Sequence, residues 1–302
     1  GFSPLPKWRR SRKSKGKMSK FLKFWGTRGS CPVSGPEYAR FGGNTSCVEV
    51  SYESAHLILD AGTGIRPLGE ALKNDRREIF LFLSHAHWDH VIGFPFFAPL
   101  YSPSAEISIW APSENRKTCR EIFDELMSAE FFPVRVDELK AKLDFHSIEG
   151  IAPVRIGPLT IHFHRTDHPS AAYCFKIETP EETIGYASDN ELSKGYHGPL
   201  LAAPQDASLA KFFSGCDLLI HEAQYFPEEY RRKVGWGHSS AANAAALLKE
   251  TGADRWLVTH HDPQHTDQDL DRLEAFTLDL LEKAGVGCLA KWVGDGDVVE
   301  LK

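Results

Sequence analysis

Ile79-Phe80-Leu81-Phe82-Leu83-Ser84-His85-Ala86-His87-Trp88-Asp89-His90 is the stretch that decides how this chain reads. Its first half is an apolar run of the length expected for a buried strand. Its second half carries three imidazoles and a carboxylate. The histidines therefore fall on the loop that leaves a strand end, where a rigid scaffold can hold chemistry. Imidazole nitrogen and carboxylate oxygen suit borderline divalent metals such as Zn²⁺. The spacing of His85 and His87 lets both rings point at one ion, and Asp89 and His90 can then face a second. A lone histidine is normally an ordinary surface or core residue; this cluster is not a lone histidine.

Outward from this stretch, short apolar runs alternate with helical patterns. Strands are expected at 46–50, 56–60, 78–83, 106–110, 159–164, 172–178, 183–187, 217–220 and 255–259. Helices are expected at 65–73, 114–128, 240–250 and 267–283. The helix at 240 has a serine cap and ends at Gly252. The last one opens on Thr266 with Asp269 three residues on, as in a capping box, and stops at Gly285. The segment 286–301 reads as a hairpin turning at Gly294–Gly296. Strands and helices mixed in this way imply sheets covered by helices, in one domain over 21–302.

The chain has 302 residues, 42% of them hydrophobic and 25% charged, which is ordinary for a globular protein and excludes collagen-like or low-complexity chains. No run approaches the length of a membrane-spanning helix, so no membrane insertion is expected. The net charge of −6 hides an asymmetry: residues 1–36 hold ten Lys or Arg and no acid. Residues 1–20 are expected to be a basic tail, flexible or added to the natural chain. The alternative is an arm for nucleic acid or acidic lipid. The acidic remainder argues against a large nucleic-acid footprint elsewhere. Six dispersed cysteines without a CxxC pair read as free thiols in a reducing cytoplasm. Oligomeric state is left open, a homo-oligomer included.

The His85–His90 motif resembles that of the metallo-β-lactamase superfamily, and the resemblance runs over nearly the whole chain from residue 21. His168 in RTDHPS, Asp189 in GYASDNE and His260 in WLVTHHDP match the later motifs of that family, each after a strand-like run. Asp60 in LILDAGTG matches the first, a supporting position. The resemblance implies an αββα sandwich, two mixed sheets flanked by helices, built from two similar halves. It also implies two divalent metal ions per chain. One would take His85, His87, His168 and Asp189, and the other Asp89, His90, Asp189 and His260, with Asp189 shared. His260 is preferred over His261 because it directly follows the strand. The ions expected are Zn²⁺, with Mn²⁺ or Fe²⁺ as alternatives.

Two further motifs narrow the branch. Ile220-His221-Glu222-Ala223-Gln224 resembles the HEAT motif of ribonuclease Z-type phosphodiesterases, and Gly237-His238-Ser239-Ser240 resembles their GHST motif. That likeness implies a Glu222–His238 pair in which His238 protonates the leaving oxygen. A carboxylate beside an imidazole raises its pKa and fixes its tautomer, as a general acid requires. Asp89, Glu222 and His238 are thus the expected catalytic residues, Asp89 being a ligand as well. The stretches FWGTRGSCPVSG and FGGNTSCVEV are similar to bacterial proteins related to cyclic-nucleotide phosphodiesterases. Arg28, Asn44 and Thr45 either line the site or only shape turns. His162 and His164 are expected on one exposed strand face. The aromatics Phe94, Phe96, Phe97 and Tyr101 are read as core, with a base-stacking wall as the alternative.

The expected activity is hydrolysis of a small phosphodiester, a cyclic nucleotide or dinucleotide. One alternative is a ribonuclease Z-type nuclease acting on RNA 3′ ends, with nucleic acid as partner. Such nucleases usually insert a long arm between the third and fourth motifs, whereas 21 residues separate His168 from Asp189 here. The other alternative is a thioester or lactone hydrolase, which leaves the Glu222 and His238 motifs unexplained.

Overall fold

In the computed structural model, residues 20–302 are described, apart from 76, 114–116, 197, 199 and 202–206. The predicted basic tail, all but Lys20, lies outside the described residues.

The strands form where apolar side chains recur at every second residue or fill short uninterrupted runs. β1 (Phe21–Gly26), β2 (Cys47–Tyr52), β3 (Ala55–Leu59), β4 (Ile79–Phe82), β5 (Glu106–Ala111) and β6 (Lys142–Ser147) form one sheet with β14 (Val298–Glu300). β7 (Val154–Ile156), β8 (Leu159–Arg165), β9 (Tyr173–Glu178), β10 (Thr183–Ala187), β11 (Leu218–Glu222), β12 (Arg255–Thr259) and β13 (Leu289–Trp292) form the other. The first runs β14-β1-β2-β3-β4-β5-β6 and the second β13-β12-β11-β10-β9-β8-β7. In the first sheet the pairs from β14 to β3 are antiparallel and those from β3 to β6 parallel. In the second, β7 to β10 are antiparallel and β10 to β13 parallel. The two halves therefore repeat one pattern.

Between the sheets lies a core that includes Phe24, Val50, Leu59, Phe82, Phe175, Tyr186, Ile220 and Leu257. The outer face of the first sheet is covered by α1 (Ile65–Leu72), α3 (Cys119–Leu126) and the turns after α2 (Trp88–Val91). The outer face of the second packs on α4 (Ala207–Phe213), α6 (Ala241–Thr251) and α7 (Asp267–Lys283), with α5 (Pro227–Tyr230) near one end. This is the predicted αββα arrangement. Capping follows the sequence: Ser240 and Thr266 accept the amides of Asn243 and Asp269, and Gly252 closes α6 at φ +71°.

Three expectations are corrected. The segment 286–301 is not a hairpin, because β13 pairs with β12 in one sheet and β14 with β1 in the other. Its glycine turn hands the chain across the sandwich. The helix expected from 114 begins at Cys119, where Thr118 and Glu121 form a capping box. The aromatic run after the histidine motif is split: Phe94 and Phe97 are fully buried, but Phe96 and Tyr101 are exposed.

Candidate metal centre

The parallel strands β3, β4, β10, β11 and β12 all end at one edge of the sandwich. Crevices outside the carboxyl ends of such strands are where ligands bind in open α/β sheets. Asp60 follows β3, His85 follows β4 after two residues, Asp189 follows β10, Glu222 closes β11 and His260 follows β12. Asp60 and His260 adopt φ +63° and +58°, a left-handed conformation that non-glycine residues reach only when their surroundings hold them there.

The structure brings all seven candidate ligands together, in two groups. His85, His87 and His168 form one; Asp89, His90, Asp189 and His260 form the other. Asp189 faces both. Its Oδ1 lies 3.2 Å from His90 Nε2 and 3.3 Å from His260 Nε2, while its Oδ2 lies 3.7 Å from Nε2 of His85 and of His168. Asp89 Oδ2 is 3.2 Å from His90 Nε2 and 3.1 Å from His260 Nε2. A tetrahedral ion with bonds of about 2.0–2.1 Å has ligand atoms about 3.3 Å apart. The second group sits close to that spacing.

The outer nitrogens explain why the inner ones converge. Ser84 Oγ lies 3.0 Å from His85 Nδ1 and Asp60 Oδ2 lies 3.0 Å from His90 Nδ1. Ser170 Oγ lies 2.9 Å from His168 Nδ1 and Gln224 Nε2 lies 3.0 Å from His260 Nδ1. The Ser84, Asp60 and Ser170 oxygens can accept from Nδ1–H and leave Nε2 of His85, His90 and His168 for the centre, the arrangement that metal-binding imidazoles use. The Gln224 amide is a donor and fixes the place of the His260 ring, with a second bond to the His260 carbonyl. His85 Nε2 and Asp189 Oδ1 are buried without a hydrogen-bond partner. Orphaned groups of this kind are costly unless a cation takes their lone pairs. The donor set therefore fits divalent metal.

Glu222 and His238 also meet. Glu222 Oε1 is 3.2 Å from His238 Nδ1 and accepts the Asn190 amide at 2.8 Å. Burial opposes a charge on His238, but Glu222 and then Asp189 raise its pKa to about 9. Burial raises the Glu222 carboxyl, and the His238 charge counters that rise. His238 Nδ1 is 3.8 Å from Asp189 Oδ2, so this pair borders the ligand cluster directly.

Other candidates fall away from the centre. His261 Nε2 donates to the Val293 carbonyl at 2.7 Å, and burial lowers its pKa to about 3. Arg28 is fully buried and donates to the carbonyls of Gly42 at 2.8 Å and His265 at 2.7 Å, so it shapes turns. Asn44 and Thr45 bind Thr63 in the same way. His162 pairs with Glu178 on the half-exposed face of β8. Sequence reasoning missed the groups that hold the candidate ligands: Ser84 and Gln224 beside the imidazoles, Tyr186, whose hydroxyl donates to Asp60 Oδ2 at 2.7 Å, and the Ser30 amide, which donates to Asp89 Oδ2 at 2.7 Å. Gly29 before it is fixed by space, because a Cβ there would lie 2.5 Å from His260 Nδ1. Ser84 and Gln224 are next to or inside quoted motifs, which was the available signal.

The profile of the β-lactamase superfamily domain matches residues 56–261. Ribonuclease Z of Haloarcula marismortui is 22% identical over 281 residues, covering 80% of this chain and 86% of its own. Ribonuclease Z of Limosilactobacillus fermentum is 24% identical and covers 82% of this chain and 84% of its own. Among solved structures, the metallo-β-lactamase fold protein YhfI from Bacillus subtilis superposes with a TM-score of 0.69 at 20% identity, over 94% of this chain and 100% of its own. A diphosphatase of the PhnP family superposes with a TM-score of 0.63 at 16% identity, over 93% and 98%. Among the described residues no helix is long and apolar enough to cross a membrane.

Proposed function

Because the chain belongs to the metallo-β-lactamase superfamily, in its ribonuclease Z-like branch, and is a metal-dependent hydrolase, we propose that it hydrolyses a small phosphodiester, a cyclic nucleotide or dinucleotide. The observation that carries this reading is His238, held by Glu222 at the edge of the ligand cluster. Hydrolysis of a thioester gives this pair less to do, since a thiolate leaves without a proton; a lactone expels an alkoxide and is separated from a diester by the turnover screen below.

His85, His87, His168 and Asp189 would hold one divalent ion, and Asp89, His90, Asp189 and His260 the other. Bound there, the pair would make water acidic enough to attack at neutral pH and would offset charge growing on the phosphoryl oxygens. Asp189 ties the two groups through its two oxygens. Asp89, fixed by the Ser30 amide, is both a ligand and the carboxylate that orients the attacking water. Glu222 accepts from His238 Nδ1, which leaves Nε2–H free to pass its proton to the departing alkoxide.

A second reading is supported by the ribonuclease Z relatives: an RNA 3′-end nuclease. Against it, β9, β10 and their short connections fill the whole span from His168 to Asp189. The basic run 7–17 is the feature that favours it. The test is a turnover screen with cyclic mononucleotides, cyclic dinucleotides, a precursor tRNA and a lactone, each with Zn²⁺, Mn²⁺ and Fe²⁺. The small-diester reading expects the cyclic compounds to turn over fastest, with no change on deleting residues 1–17. Preferred cleavage of the tRNA, weakened and less salt-dependent after that deletion, would favour the nuclease.

A further inference from the structure

Trp236 is 58% exposed, yet its place in the chain is tightly fixed. Gly235 and Gly237 flank it at φ +87° and +90°, a conformation that side-chain-bearing residues rarely adopt. Both flanking amides donate to one carboxylate: Gly235 N to Glu191 Oε1 at 2.7 Å and Gly237 N to Glu191 Oε2 at 3.0 Å. Glu191 is buried, accepts the Tyr230 hydroxyl at 2.6 Å, and bonds through its own amide to the Asp167 carbonyl at 2.8 Å. A Cβ on Gly237 would lie 2.2 Å from a ring carbon of His168. The glycine-tryptophan-glycine loop is therefore pressed against the metal centre, and the next residue is His238.

Positioning His238 requires the loop to be anchored, but it does not require an indole at the apex. An apolar ring held rigidly in water gains free energy when something covers it, and the ordering has already been done by Glu191. A planar group with a π-face covers an indole best. Nucleic-acid bases stack on aromatic side chains for this reason, with little regard to which base it is. Lys233 Nζ lies 4.5 Å from the centre of the Trp236 ring, against one face of the indole, and 3.6 Å from Asp262 Oδ2, which already pairs its charge.

We propose that Trp236, staked by Glu191, is the platform on which the base of the substrate stacks, so that the substrate is a nucleotide diester and not a sugar or lipid diester. This rests on the phosphodiesterase reading above. The test compares two five-membered cyclic diesters, adenosine 2′,3′-cyclic phosphate and the base-free glycerol 1,2-cyclic phosphate, in the metal-loaded protein. Trp236→Ala should lower kcat/KM for the adenosine compound roughly 5- to 100-fold more than for the glycerol compound, chiefly through KM. Trp236→Phe should recover part of that difference. Equal losses on both compounds, or no loss on either, would overturn the platform. If the wild-type protein hydrolyses neither, the phosphodiesterase reading fails and the platform is judged by calorimetry. Tighter binding of adenosine 5′-monophosphate than of ribose 5-phosphate, abolished in Trp236→Ala, then upholds it, and equal binding of the two overturns it.

Discussion

Asp60 holds His90 through a 3.0 Å contact between its Oδ2 and the imidazole Nδ1. The same carboxylate accepts the Ser84 amide at 2.7 Å and the Tyr186 hydroxyl at 2.7 Å. A residue with no lone pair aimed at the centre thus orients one that has. Tyr186 reaches across from the second sheet, so the ring of His90 is set by both halves of the sandwich.

Asp60→Asn removes that anchor without straining the backbone, because asparagine tolerates the positive φ found here. Metal affinity should fall roughly 10- to 100-fold, the usual cost of losing a group that orients a ligand. Competition with a chelator measures it, and circular dichroism checks the fold. Unchanged affinity would mean that Asp60 only ties the strands together.

Elemental analysis of the purified protein should find two divalent ions per chain, roughly 3.5–4 Å apart in a loaded structure. His260→Ala should lower the content toward one, and Asp189→Ala should weaken both sites, since its two oxygens face different groups. One ion per chain in the wild type, insensitive to His260→Ala, would remove the second site.

His221 gives a pH dependence outside the ligand set. Its Nδ1–H donates to the Glu222 carbonyl at 2.6 Å, and Nε2 accepts from Asn190 Nδ2 at 3.1 Å. Burial lowers its pKa to about 4. The folded state therefore keeps the ring neutral. Its contribution is fully present above the unfolded pKa of about 6.5 and is lost as pH falls from there through 4, by about 3 kcal/mol in all. Urea unfolding of chelator-treated protein at pH 7.5 and pH 4 should show His221→Gln losing less stability to acid than the wild type. An equal acid loss in both would show that the ring is not held neutral.

The parts of the fold visible in the sequence were those set by local signals. The runs at 183–187 and 255–259 and the helix at 267–283 carry unbroken apolar patterns or a cap, and the structure places them at those bounds. Pairing was less visible. β13 and β14 flank a glycine turn as two hairpin strands would, and only the register with β12 and β1 shows that they belong to different sheets. β6 and β7 were missed because they are edge strands, one largely polar and the other three residues long. At the centre, histidines and aspartates announce themselves by type and spacing. Ser84, Tyr186 and Glu191 do not, since a serine, a tyrosine or a glutamate acquires such a role only through the neighbours that the fold supplies.

The proton that His238 gives up is the centre of the proposed mechanism. His238→Ala removes no proposed ligand, so metal content should stay at the wild-type value. An alkoxide leaving group needs the proton in the transition state, while a nitrophenolate leaves well without it. The variant should hydrolyse a nucleotide diester roughly 10²- to 10⁴-fold more slowly, and bis(4-nitrophenyl) phosphate only slightly more slowly. Glu222→Gln should show the same selectivity with a smaller loss. Equal losses on both substrates with metal retained, or loss of the metal itself, would contradict His238 as the general acid.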